Sequence, residues 1–146
     1  LGLMFAARSQ HIFERIEPAL ARGDWVICDR FTDSTYAYQG GGRGISLALI
    51  AQFEAVTLDG FTPNLTILLD VPVATGLARA AQVSAPDRFE SEQHAFFERA
   101  RETFLRRAET QARTKIVDAS RSQANVKQSV VSLIEQHWIS VQGDHP

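Results

Sequence analysis

Lysine is almost absent from this chain: Lys115 and Lys127 stand beside 13 arginines among 146 residues. Arginine excess suits planar, bidentate recognition of phosphate or carboxylate, although biased base composition would produce the same count. Cysteine is scarcer still, with Cys28 alone. A single cysteine excludes an internal disulfide and suits a reducing, cytoplasmic compartment. A basic excess is also missing. The net charge of −2 argues against non-specific binding to nucleic acid. No apolar run approaches the roughly 20 residues that cross a bilayer, so no membrane partner is expected. No secretory-signal pattern is visible. His11, His94, His137 and His145 are too scattered to show metal-ligand spacing. The first residue is Leu1, not Met, and it opens inside an apolar helical pattern, as expected of a piece of a longer chain.

What is present is an alternation. With 45% apolar and 22% charged residues, the chain has the makings of one soluble domain with its own core. Three short apolar runs read as buried strands: Trp25 to Cys28, Leu65 to Leu69, and Lys115 to Val117. Each ends at an aspartate, Asp29, Asp70 or Asp118. Runs apolar on both faces indicate a parallel sheet covered by helices. Helical periodicity marks residues 2–21, 46–59, 91–110 and 123–139, with Pro72 opening a further helix to Ala81. Pro18 should kink the first of these and Gly23 should end it. The class is α/β. In open parallel sheets ligands bind beyond the carboxyl ends of the strands, so the three aspartates should share one edge.

Residues 28–44 read CDRFTDSTYAYQGGGRG. Asp29 and Arg30 follow an apolar run and should emerge at that edge. A carboxylate there can hold Mg²⁺ through water, and an arginine can neutralise a transferring phosphoryl group. A plain ion pair or helix cap is the alternative. Ser34, Thr35, Tyr38 and Gln39 follow closely enough to read a base edge and crowd a sugar, or simply to cap a loop. The glycines from Gly40 to Gly44 lack the lysine-bearing pattern of a phosphate loop. A hinge or a close backbone approach suits them better. Asp70 could touch Mg²⁺ or cap the helix after Pro72, and capping is the favoured expectation. Glu98, Arg101, Glu102 and Arg106 have the spacing of an ion-paired, solvated helix face.

Four stretches carry a resemblance: FAARSQH, PALARGDWVICDRFTDSTYAYQGGGRG, PNLTILLDVPVATGLARA and DRFE. Together they resemble the bacterial thymidylate kinases, from Leu1 to about Trp138. The resemblance implies transfer of the ATP γ-phosphoryl group to dTMP, Mg²⁺ dependence, a homodimer and a three-layer P-loop kinase-type fold. Residues 1–139 would form that domain, with a lid at about 80–90 and a mobile tail at 140–146. Asp29, Arg30 and Arg88 would be catalytic, and Asp29 would also serve the metal. Phe5, Arg8, Arg30, Ser34, Thr35, Tyr38 and Gln39 would bind dTMP. Arg79 would lie near the ATP base. The stacking residue of the family falls four positions before Arg8, at Met4, with Phe5 adjacent.

Two features depart from that pattern. The family opens with a strand and a lysine-bearing phosphate loop, and nothing here matches them. Trp25–Cys28, Leu65–Leu69 and Lys115–Val117 would be the third, fourth and fifth strands of the sheet, with the first and second missing. The first strand belongs between the third and fourth, so its absence should leave buried backbone groups unpaired. The chain alone is therefore expected to be unstable and inactive, and the natural protein longer. The other departure lies in the lid, where residues 80–86 carry no cation. A deoxynucleoside kinase acting on thymidine, and a shortened homologue that binds dTMP without transferring phosphate, are the alternative readings.

Overall fold

The structure, a computed structural model, describes residues 1–81 and 90–143. It opens with α1 (Gly2–His11), a π-helical turn (Ile12–Ile16) and α2 (Glu17–Ala21). These form one continuous helical run, because the π turn immediately before Pro18 absorbs the missing proline N–H and the ring clash. Gly23, at φ 80°, ends the run. The Asp24 N–H bonds back to the Ala19 carbonyl at 3.0 Å, closing a glycine C-cap.

After an irregular stretch, α3 (Thr32–Thr35) passes directly into a π-helical segment (Tyr36–Gly42). The helix α4 (Leu47–Leu58) starts where the Leu49 N–H donates to Ser46 Oγ, and it ends at Asp59 in the left-handed region. Next come β1 (Thr66–Asp70), α5 (Val73–Ala81), α6 (Glu90–Thr110), β2 (Thr114–Asp118) and α7 (Gln123–Gly143). The last helix continues three residues past Ser140, where a mobile tail was expected. The strands β1 and β2 pair in parallel, Thr66 with Thr114 through Asp70 with Asp118. The crossover between them contains α5 and α6, as parallel pairing requires. This is an α/β arrangement with a small parallel sheet, in keeping with a P-loop kinase-type fold.

One expected strand does not form. Trp25 to Cys28 makes no backbone–backbone hydrogen bond among the described residues and has no regular structure. A strand is a paired object, and no other described segment lies alongside as its ladder partner. Its apolar side chains stay open, with Ile27 90% exposed. Trp25 touches Trp138 of α7, ring centroids 5.2 Å apart. The sheet thus has two described strands where three were expected.

The core lies among the helices. Phe5, Ile12, Ile16, Phe31, Tyr36, Ile50 and Leu58 are buried together, with Phe53 and Phe61 packed against them. The spacing of Phe5, Ile12 and Ile16 places them on one stripe of the first helical run. The glycines of the π segment let it approach α6 closely. A Cβ on Gly41 would come within 2.7 Å of the Arg99 carbonyl, and one on Gly42 would enter the Phe96 ring.

Candidate functional site

Arg30 is one of two described non-glycine residues with positive φ, at 68°. That conformation is costly for a side chain with a Cβ and tends to mark functional sites. It carries the guanidinium to within 4.6 Å of the centre of the Tyr38 ring. Tyr38 in turn stacks on Phe96 at 6.1 Å and meets Phe104 edge-on at 5.8 Å. The cation therefore rests on an aromatic surface that α6 holds in place. Asp29, just before it, is exposed and makes no hydrogen bond or ion pair among the described residues. Its carboxylate is available to a cation or a hydroxyl.

A second cluster forms around Arg8. From α1 it donates to Thr35 Oγ1 at 3.2 Å and to the Phe31 carbonyl at 3.3 Å. Its guanidinium also lies over the rings of Phe5 and Phe31, 5.4 and 5.7 Å from their centres. Burial pulls its pKa below the ordinary arginine value, while Cys28, Glu54 and Asp33 oppose the shift. An arginine so placed remains cationic. It is fixed by two hydrogen bonds and keeps further N–H donors for a ligand. Thr35 is fully buried, and Ser34 is half-buried beside it. The side-chain oxygen of Gln39 is buried without a hydrogen-bond partner among the described residues. Such an atom is costly unless something donates to it.

The structure therefore groups Arg8 with Thr35 and Arg30 with Tyr38, and Thr35 and Tyr38 share one helical run. Phe5 is different. Its ring is 0% exposed and stacks on Phe53, centroids 6.0 Å apart. The core-facing stripe of α1 claims it, so as folded it offers no face to a ligand and supports Arg8 from below. Met4, one position earlier, is 41% exposed. Arg79 is apart from both clusters. It donates to the carbonyls of Ala119 and Ser120 at 2.7 and 3.1 Å, in the loop after β2. Arg88 and most of the expected lid lie outside the described residues.

Asp70 corrects an expectation. Among the described residues its carboxylate accepts no helix N–H; Arg101 of α6 grips it at 2.7 and 2.8 Å. That contact holds the Arg101 pKa above its ordinary value, mainly through the hydrogen bond. The expected ion pair along α6 survives at Arg106 and Glu102, in the open. Asp118, at the end of β2, instead accepts from Ser120 and Arg121, and the Ser120 bonds chiefly lower its pKa.

Asp33 escaped the sequence reading altogether. It sits between the candidate residues and accepts from Arg107 at 2.8 Å and Arg113 at 3.3 Å. Those partners are 74 and 80 residues away, and no spacing rule reaches that far. No group of three or more His, Cys, Asp or Glu side chains suited to a metal occurs among the described residues.

Comparison with known proteins bears on what this site serves. A family profile described as thymidylate kinase matches residues 1–130. A thymidylate kinase of Cupriavidus metallidurans is 54% identical over 133 residues, covering 90% of this chain and 66% of that protein. One from Alcanivorax borkumensis is 50% identical over 137 residues, covering 93% and 66%. One from Cupriavidus pinatubonensis is 55% identical over 121 residues, covering 82% and 60%. The chain spans a little under two thirds of the length of these curated relatives.

Proposed function

The chain belongs to the thymidylate kinase family, and from that premise we propose that its protein transfers the γ-phosphoryl group of ATP to dTMP, giving dTDP. The observation that carries this reading is the Arg8–Thr35 contact. It brings two of the family-like stretches together, with Gln39 and Tyr38 on the same helical run as Thr35. In this reading Arg8 and Gln39 hydrogen-bond the base, Ser34 and Tyr38 line the base and sugar, and the fully buried Thr35 serves the site by holding Arg8 in place. Arg30 draws the acceptor phosphate into line and offsets charge that develops as the phosphoryl group moves.

Mg²⁺ fits beside Asp29. It commonly binds through one or two carboxylates together with substrate phosphates, and Asp29 presents an exposed carboxylate with no partner among the described residues. Bound there with ATP, the ion would neutralise phosphate charge. Arg79 is proposed to lie near the ATP base, together with the loop after β2. Arg88 and a lid at about 80–90 are proposed on the resemblance alone.

A homodimer and a cytoplasmic location are proposed on the same premise. Leu3 and Phe13 of the first helical run and Val56 of α4 are 88%, 75% and 84% exposed, which fits a self-association face. Among the described residues no helix is long and apolar enough to cross a membrane.

The test is a product assay on the natural protein with ATP and with dTMP and thymidine in competition. The expected product is dTDP, and preferential phosphorylation of thymidine would favour a deoxynucleoside kinase instead. Arg30→Asn is the informative variant, because asparagine tolerates left-handed backbone. Turnover should fall by roughly 10²–10³ with the fold retained. Turnover equal to wild type would remove Arg30 from the mechanism.

A further inference from the structure

The helical run Thr32–Gly42 lies antiparallel along α6, and it is held near both ends. At one end Arg107 Nε donates to Asp33 Oδ1 at 2.8 Å, while Arg113 Nη2 donates to Oδ2 at 3.3 Å. In the middle Tyr38 rests on Phe96 and Phe104. At the other end Arg99 Nη2 donates to the Gly42 carbonyl at 2.9 Å. Thus positions 33, 38 and 42 meet α6 in descending order at 107, 104 and 99. Ser34, Thr35, Tyr38 and Gln39 lie between the two polar anchors.

The Asp33 anchor extends sideways. The Arg107 guanidinium lies 3.6 Å from the centre of the Tyr36 ring. The Tyr36 hydroxyl donates to Glu54 Oε2 of α4 at 2.5 Å. One chain of contacts therefore joins α6, the residue before β2, the helical run and α4. The side chains of Asp33, Arg107 and Arg113 are only 13%, 18% and 17% exposed. Two carboxylates and two guanidinium groups meet with no net charge. Close packing is incomplete on one side of this cluster. A cavity of about 580 Å³ opens beside it, lined by Tyr36, Glu54, Arg107 and Arg113 and by none of the candidate site residues. Directional bonds to charged groups must do what packing would otherwise do.

We infer that Asp33, Arg107 and Tyr36 are positioning residues that set the register of Ser34, Thr35, Tyr38 and Gln39 against α6, and through it the affinity for the nucleoside monophosphate. This rests on the reading of those four residues as part of the dTMP site. Asp33 is one residue from Ser34 and two from Thr35, the partner of Arg8. A π-helical segment carries an extra residue per turn, so its exit register depends on where its start is fixed.

The test is Asp33→Asn in the natural protein, with Tyr36→Phe as a milder second variant should the first fail to fold. The readouts are dTMP affinity, the separate steady-state constants, and amide hydrogen exchange of residues 34–42. Loss of the Asp33 charge should raise the dTMP dissociation constant and KM roughly tenfold while kcat changes less than about threefold. The KM for ATP should not move. Amide exchange should quicken in residues 34–42 and stay unchanged in α7. Wild-type affinity together with wild-type exchange overturns the inference. If the wild-type protein fails to bind dTMP, the functional reading falls. Exchange then decides the clamp by itself: local quickening supports it and unchanged exchange overturns it.

Discussion

Residues 24–28 and residues 32–42 flank the Asp29–Arg30 pair and are held in opposite ways. The second stretch is surrounded. Thr32, Thr35, Tyr36 and Ala37 are buried, Gly42 is pressed against α6, and polar bonds tie it to α1, α4 and α6. The first is apolar in composition yet wholly exposed among the described residues. The half of the site that would read the nucleoside is therefore built by helices packing on helices. The half that would handle the transferring phosphoryl group hangs from an unpaired segment. The helical half is preorganised by these contacts, whereas the segment that leads into Asp29 makes no backbone–backbone hydrogen bond among the described residues.

The largest effect that would break this comparison is a cavity in the helical half. Ile50 is 0% exposed within the core, so Ile50→Ala should cost about 3 kcal/mol of unfolding free energy. Urea unfolding of the 146-residue chain measures it. A cost below about 1 kcal/mol would mean that the helical half is loosely packed.

Tyr36→Phe comes next. Removing the hydroxyl that serves Glu54 should cost about 1–2 kcal/mol, since it strips a donor from a partly buried carboxylate. It should also remove a titration. Burial, reinforced by Glu54, pushes the Tyr36 phenol from 10.0 up to about 12. The folded state thus holds this proton more tightly than the unfolded one. The resulting stability is fully present below pH 10 and is lost as pH rises toward 12. In an alkaline absorbance titration the late tyrosinate component should vanish in Tyr36→Phe. If it stays, the late component does not belong to Tyr36.

The smallest effect belongs to the open stretch. Ile27 is 90% exposed, so Ile27→Ala should change the stability of this chain by less than about 0.5 kcal/mol. A cost of about 2 kcal/mol or more would show that another segment or another copy covers it. The contrast between the two regions would then narrow.

Much of the fold was legible because its signals are local. Ser46 and Pro72 mark helix starts, Gly23 marks a stop, and the apolar runs before Asp70 and Asp118 are strands within a residue or two of their expected bounds. Trp25–Cys28 shows where such signals fail. Its composition is that of a strand, but composition does not supply a neighbour. The candidate site divides in the same way. Asp29, Arg30, Arg8 and Tyr38 stand out in the sequence by their chemistry alone. The burial of Phe5 does not, because a core stripe and a ligand platform look alike along a helix. Asp33 and Asp70 were unreadable, since arginines dozens of residues away decide what their carboxylates do.

The proposed dTMP site is centred on Arg8, which the helical half already holds through Thr35 and the Phe31 carbonyl. Calorimetric titration of dTMP into the natural protein and its Arg8→Ala variant tests it most directly. Loss of charged hydrogen bonds should weaken binding by about tenfold or more while leaving the affinity for ATP unchanged. Equal dTMP affinity in the two proteins would contradict the account and leave Arg8 a structural tie between α1 and the Phe31–Thr35 turn.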